Sequence, residues 1–211
     1  KKIKIKSNLF CFLYIVQNCR IFTDCQTNVA YICKNQIIPN ISYQQNGNKI
    51  ANIKFNSTLK YGTPKFKKNF SGLLVSLLQG SSGANYYHWL FDIIPKLEIL
   101  KKNGFLENVN YFYLPDINNF IVETLSHYGV KKNQMINSKE FKHISADKVL
   151  ALEHINLKKG TIASNLENVK KWIPTLLKKK FLKHKKKFKC SNKVFIDRSD
   201  SKFIHFAIKN S

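Results

Sequence analysis

The stretch "GLLVSLLQGSSGANYYHWLFDIIPKLEIL", Gly72 to Leu100, decides how the rest of the chain is read. "LLVSLL" (Leu73–Leu78) is a short apolar run bounded by Gly72 and Gly80, the form of a buried strand. In "QGSSGAN", Gly80 and Gly83 permit a tight turn, and Ser81, Ser82 or Asn85 can cap a following helix. From there Tyr87, Leu90, Phe91, Ile94 and Leu97 recur at i, i+3, i+4 and i+7, which predicts a helix with that stripe packed on a sheet. Strand, bend and helix in this order bring unpaired N–H groups and the positive end of a helix dipole to the bend, a place suited to anions. The glycine spacing is not GxGxxG and there is no Walker lysine, so the bend alone does not identify a phosphate loop.

Working outward, the same alternation continues. "NYFYL" (Asn110–Leu114) reads as a strand, "INNFIVETLSHYG" (Ile117–Gly129) as a helix closed by glycine, and "QMIN" and "DKVLAL" (Asp147–Leu152) as strands. Asn165 to about Phe181 reads as a helix and "KVFID" (Lys193–Asp197) as a strand. The fold class expected is α/β, with a Rossmann-like parallel-sheet domain over residues 71–211. Upstream, Asn28 to Tyr61 mixes β-branched and aromatic residues with the turn formers "PN" (39–40) and "NGN" (46–48), the pattern of short strands and a hairpin. "GTPKFKKNFSG" (Gly62–Gly72) reads as a linker, so residues 1–70 are expected to form a small β-rich N-terminal region.

The formal charge of +24 comes from 36 basic residues, of which only Arg20 and Arg198 are arginine. Proteins that grip phosphates or guanine edges favour the arginine fork, and no nucleic-acid motif is present, so no specific nucleic-acid partner is expected. The cluster Lys178–Lys180, Lys183, Lys185–Lys187 and Lys189 reads as a solvated helix face, with contact to an anionic membrane surface as the alternative. Cys11, Cys19, Cys25, Cys33 and Cys190 show neither CxxC nor paired Cys/His spacing, which argues against zinc and for reduced, buried thiols in a cytoplasmic protein. "NLFCFLYIVQNC" is interrupted by Asn8 and Gln17 and falls short of the roughly 18 apolar residues of a membrane span, so a buried strand is expected there. The chain lacks an initial Met and stops soon after a promising motif, so a fragment of a longer protein is the expectation.

His88 and Asp92 stand four residues apart, an interval at which helical side chains meet. A carboxylate so placed holds the imidazole in one tautomer and raises its basicity, as a general base for an alcohol requires; a simple helix-start hydrogen bond is the other reading. Trp89 serves as core or as a platform for a sugar ring. Pro95, with no N–H and a ring that meets the carbonyl of Phe91, should kink or break the helix.

The run "NYYHWLFDIIPKLEIL" resembles the N-HW-D-P-(R/K)-L signature of glycosyltransferase family 61, with Asn85, His88, Trp89, Asp92, Pro95 and Lys96 in register. "KVFIDRSDS" (Lys193–Ser201) resembles the family's strand and "SRxDA" segment, aligning Arg198 and Asp200, although Asp197 and Ser201 replace the usual Ser and Ala. The resemblance spans roughly Gly72 to Asn210. It implies the first half of a GT-B type enzyme without its second Rossmann-like domain, inactive in this truncated form. The implied reaction moves a sugar from a nucleotide-sugar donor to a saccharide acceptor in cell-surface or capsular polysaccharide synthesis. His88 would be the base, Asp92 its orienting partner, Asn85 and Trp89 substrate contacts, and Arg198 a phosphate clamp set by Asp200. No DxD is present, so no metal or other cofactor is implied. A noncatalytic module binding glycan, a partner protein or an anionic surface is the alternative.

Overall fold

A computed structural model describes residues 1–6, 10–47, 49–79, 85–155, 157–158, 161–162 and 170–182. The chain is mixed α/β with one sheet that is antiparallel at its N-terminal end and parallel in its central region, compatible with a Rossmann-like fold.

The apolar run near the N-terminus forms a long strand, β2 (Phe10–Thr23), flanked by β1 (Lys2–Lys6) and β3 (Asn28–Cys33). β4 (Gln36–Ile37) pairs with β3, and β5 (Tyr43–Asn46) and β6 (Lys49–Ala51) form the expected hairpin, with Gly47 at φ +57°. After a short helix, α1 (Ser57–Tyr61), comes β7 (Lys68–Ser76), five residues longer at its start than the apolar run predicts. The polar residues Lys68 and Asn69 are strand because they pair with Ile144 and Ser145 of β10 (His143–Leu152). β8 (Tyr111–Leu114) and β9 (Met135–Asn137) extend the parallel region in the order β10-β7-β8-β9. Two short strands, β11 (Leu157–Lys158) and β12 (Thr161–Ile162), join the far edge beside β6.

The expected boundary at residue 70 falls inside β7, and the N-terminal strands run directly into the parallel region because β2 pairs along β10 from Phe22↔His143 to Leu13↔Leu152. One face of the sheet carries Leu13, Val75, Phe112, Leu114 and Leu150, covered by helices α3 (Ile94–Lys102), α4 (Asn119–Ser126) and α5 (Trp172–Phe181). The other face carries Tyr14, Val16, Leu74, Tyr113 and Val149 and packs against Tyr31, Ile41 and Tyr43 from the antiparallel end. That end curls over the second face: the Tyr31 hydroxyl of β3 donates to Ser76 Oγ of β7 at 2.7 Å, although β2 and β10 lie between those strands in the sheet.

A break crosses three neighbouring strands at one level. Asn18 (φ +48°) and Gly72 (φ +104°) adopt left-handed backbone, and the β7–β10 register slips between Ala146 and Lys148. The Asp147 carboxylate accepts the Gly72 N–H at 2.8 Å, and Asn110 Oδ1 accepts the Leu73 N–H at 2.8 Å, so the amides freed by the bulge are satisfied. Across this line the side-chain alternation is offset, so that both Val16 and Cys19, and both Ala146 and Val149, face the same core.

β7 leads to β8 on one side while β10 lies on its other side, so the direction of chain progression reverses between β7 and β10. In open α/β sheets the crevice beyond the carboxyl ends of two such strands is the usual ligand site.

Candidate functional site

At that place the expected helix begins. Asn85 is its N-cap, its Oδ1 accepting from the N–H of Tyr87 at 3.0 Å and His88 at 3.4 Å. α2 (Tyr86–His88) passes into a π-helical turn, Trp89–Ile93, before α3. The Ile94 N–H reaches back to the Trp89 carbonyl, one residue farther than in an α-helix. Pro95 then enters as the start of a new α-segment, where its missing N–H leaves no broken bond. The proline therefore produces a π-turn instead of a break.

The extra residue in that turn rotates the buried face. Trp89, Ile93, Ile94, Leu97 and Leu100 are fully enclosed, whereas Tyr87, Leu90 and Phe91 of the predicted stripe are only half-buried. Trp89 is in the core with its indole N–H donating to Thr124 Oγ1 at 2.7 Å, so it is packing and not the substrate contact expected of it. The same rotation turns Asp92 and Lys96 inward, both buried.

His88 and Asp92 meet as expected: Nδ1 donates to Asp92 Oδ2 at 2.8 Å, with the imidazole 23% exposed and the carboxylate 2%. An ionised carboxylate accepts only, so the ring proton sits on Nδ1 and Nε2 is the basic nitrogen. Lys96 Nζ donates to the Leu152 carbonyl at the end of β10, 3.3 Å away. Burial pulls its ammonium down to about 8, against the opposing pull of Asp92, Cys11 and Glu153. Two residues beyond, burial holds His154 down at about 4, against the pull of Asp92. Neutral His154 accepts at Nε2 from the Gln79 amide, at 2.7 Å. Glu153 accepts from the Tyr14 hydroxyl at 2.9 Å and from Asn40 Nδ2 at 3.3 Å.

Gln79, Lys96, Glu153 and His154 line a cavity of about 440 Å³, whose opposite wall is Ile41, Tyr43 and Ile50 of the antiparallel end. Two of its buried polar atoms, the Tyr43 hydroxyl and Gln79 Oε1, have no hydrogen-bond partner among the described residues. Such groups call for a ligand that both accepts and donates. Among the described residues, no three His, Cys, Asp or Glu side chains converge in a way that would hold a metal ion.

Sequence reasoning brought His88, Asp92 and Asn85 together at this turn, as they stand, and gave no place to Gln79, Glu153, His154 and Tyr43. Gln79, Glu153 and His154 had a signal, since each follows the apolar run of a predicted strand at its carboxyl end; Tyr43 had none. Arg198, Asp200, the strand Lys193–Asp197 and the bend residues Gly80, Ser81, Ser82 and Gly83 lie outside the described residues. No helix among the described residues is long and apolar enough to cross a membrane. Comparisons with protein-family models, with curated proteins and with solved structures find no match to this chain.

Proposed function

We propose that the chain is the acceptor-side, first half of a GT-B type glycosyltransferase similar to family 61, moving a sugar from a nucleotide-sugar donor to a saccharide acceptor. The reading is supported above all by the His88–Asp92 pair at 2.8 Å; neither side chain lines the cavity itself, but the charge of Asp92 is felt by Lys96 and His154 of its wall. Buried Asp92 fixes the ring, and Nε2 of His88 removes the acceptor hydroxyl proton as that oxygen bonds the anomeric carbon. The nucleoside diphosphate leaves with the electron pair of the broken bond. Asn85 supports this step indirectly by capping the turn that carries His88. By resemblance alone, Arg198 set by Asp200 would neutralise the departing diphosphate.

Lys96 and Lys170 line the cavity together with the carboxylate of Glu153, a wall of mixed charge that suits a neutral saccharide acceptor. Sugar hydroxyls both donate and accept, matching the Tyr43 hydroxyl and Gln79 Oε1. Joined to a second Rossmann-like half and incubated with nucleotide-sugar donors and labelled oligosaccharides, the complete enzyme would lengthen the acceptor by one sugar, and His88→Ala in it would lower turnover about 100-fold or more. Turnover unchanged by His88→Ala would remove that residue from the role. Saccharide binding with no transfer would favour a noncatalytic glycan-binding module.

A further inference from the structure

The segment from Asn52 to Lys68 is inside out. Its buried residues are polar: Asn56 is 1% exposed and Thr58 7%. Asn28 Nδ2 donates to both, at 3.2 and 3.1 Å, and Asn56 Nδ2 donates to the Tyr43 carbonyl at 3.2 Å. Its apolar side chains face water instead, with Phe55 67%, Leu59 57%, Tyr61 75% and Phe66 94% exposed. These four belong to one short segment, while the other large exposed apolar residues described, Tyr86, Ile117 and Leu182, are scattered along the chain. Scattered apolar residues are ordinary on a surface, but a segment held down by hydrogen bonds with its apolar groups outward signals a partner.

The charges define the partner. Lys54, Lys60, Lys65, Lys67 and Lys68 alternate with the apolar side chains, all exposed, and none forms an ion pair with a described carboxylate. No Asp or Glu occurs between Asp24 and Asp92, and Asp24 is engaged by the backbone N–H groups of Gln26, Thr27 and Asn28. Lys54 and Lys60 lie against the rings of Phe55 and Tyr61, 5.5 and 5.0 Å from the centroids, as lysines do where aromatic rings enter an interface and the amines stay at its polar edge. We infer that Phe55, Leu59, Tyr61 and Phe66, with their interleaved lysines, form a docking surface that inserts into the headgroup region of an anionic lipid bilayer. This surface is separate from the lysine cluster of α5 and independent of the chemistry at His88.

The test is co-sedimentation of the full chain with vesicles of equimolar phosphatidylcholine and phosphatidylglycerol, compared with pure phosphatidylcholine. The wild type partitions onto the anionic vesicles, and the combined variant Phe55→Ser, Leu59→Ser, Tyr61→Ser, Phe66→Ser loses roughly 100-fold in partitioning while keeping its circular dichroism. Part of the binding survives salt, since apolar insertion is not screened. A variant with Lys178, Lys179 and Lys180 changed to Glu retains most of it. Equal partitioning of wild type and the serine variant overturns the inference, as does binding abolished by salt or by the α5 substitutions alone. Binding to a single-stranded oligonucleotide that the serine substitutions abolish, without vesicle binding, overturns it in favour of a nucleic-acid surface.

Discussion

His154 shows how one residue ties the site to stability. Its folded-state value of about 4 lies below the ordinary 6.5, because burial disfavours the imidazolium. As pH falls through 6.5 the unfolded chain takes up a proton that the folded chain refuses until about 4, so this residue's contribution is intact above 6.5 and lost progressively across that window. At about 1.4 kcal/mol per pH unit, the loss reaches about 2 kcal/mol by pH 5. Urea denaturation at pH 7 and pH 5 should show that fall in the wild type and a flatter dependence in His154→Gln; equal slopes would mean that His154 takes up its proton as readily in the folded as in the unfolded chain. At this scale the sequence was legible only where partners are close along the chain. His88 and Asp92 meet because they are one turn apart, whereas the Gln79–His154 contact joins the ends of two strands 75 residues apart, which no local pattern records. Trp89 left two readings open until Thr124 supplied its indole partner.

Elements were legible in kind and less so in phase. The strands of the parallel region, the β5–β6 hairpin and the helix after Asn85 stand where hydrophobic pattern and turn residues put them. The buried stripe of that helix was read with α-helical phase, and the π-turn before Pro95 shifted it. β7 was read short because pairing with β10, and not composition, makes strand of Lys68 and Asn69. Gly72 is the residue on which this pairing turns. Its φ of +104° disfavours any side chain, and an added Cβ would collide with the Asn110 amide that accepts the Leu73 N–H. Gly72→Ala should cost about 2 to 3 kcal/mol, measured by chemical denaturation. A cost under about 0.5 kcal/mol would mean the bulge can relax into a regular ladder.

For the molecule as a whole, composition and periodicity gave the α/β class but not how its parts join. A lysine-rich stretch with Gly62 and Pro64 looked like a linker, yet the antiparallel strands before it share the β2–β10 ladder, wall the cavity through Tyr43 and cross the sheet face through Tyr31. Residues 71–211 expressed alone would expose the β10 edge and the apolar face that Tyr31, Ile41 and Tyr43 cover. We expect that shortened chain to be aggregated or to lack a cooperative thermal transition, whereas the full chain unfolds in one step; a soluble, cooperatively melting 71–211 would show the N-terminal strands to be an accessory. The β2–β10 ladder also sets a schedule for the ribosome. Roughly 120 residues separate Thr23 from His143, so at about 5 to 20 residues per second the nascent chain waits roughly 6 to 24 s for that pairing. Until then the long apolar strand has only β1 and β3 for company and one open edge, a template for neighbouring nascent chains that makes chaperone cover during translation a requirement of this topology.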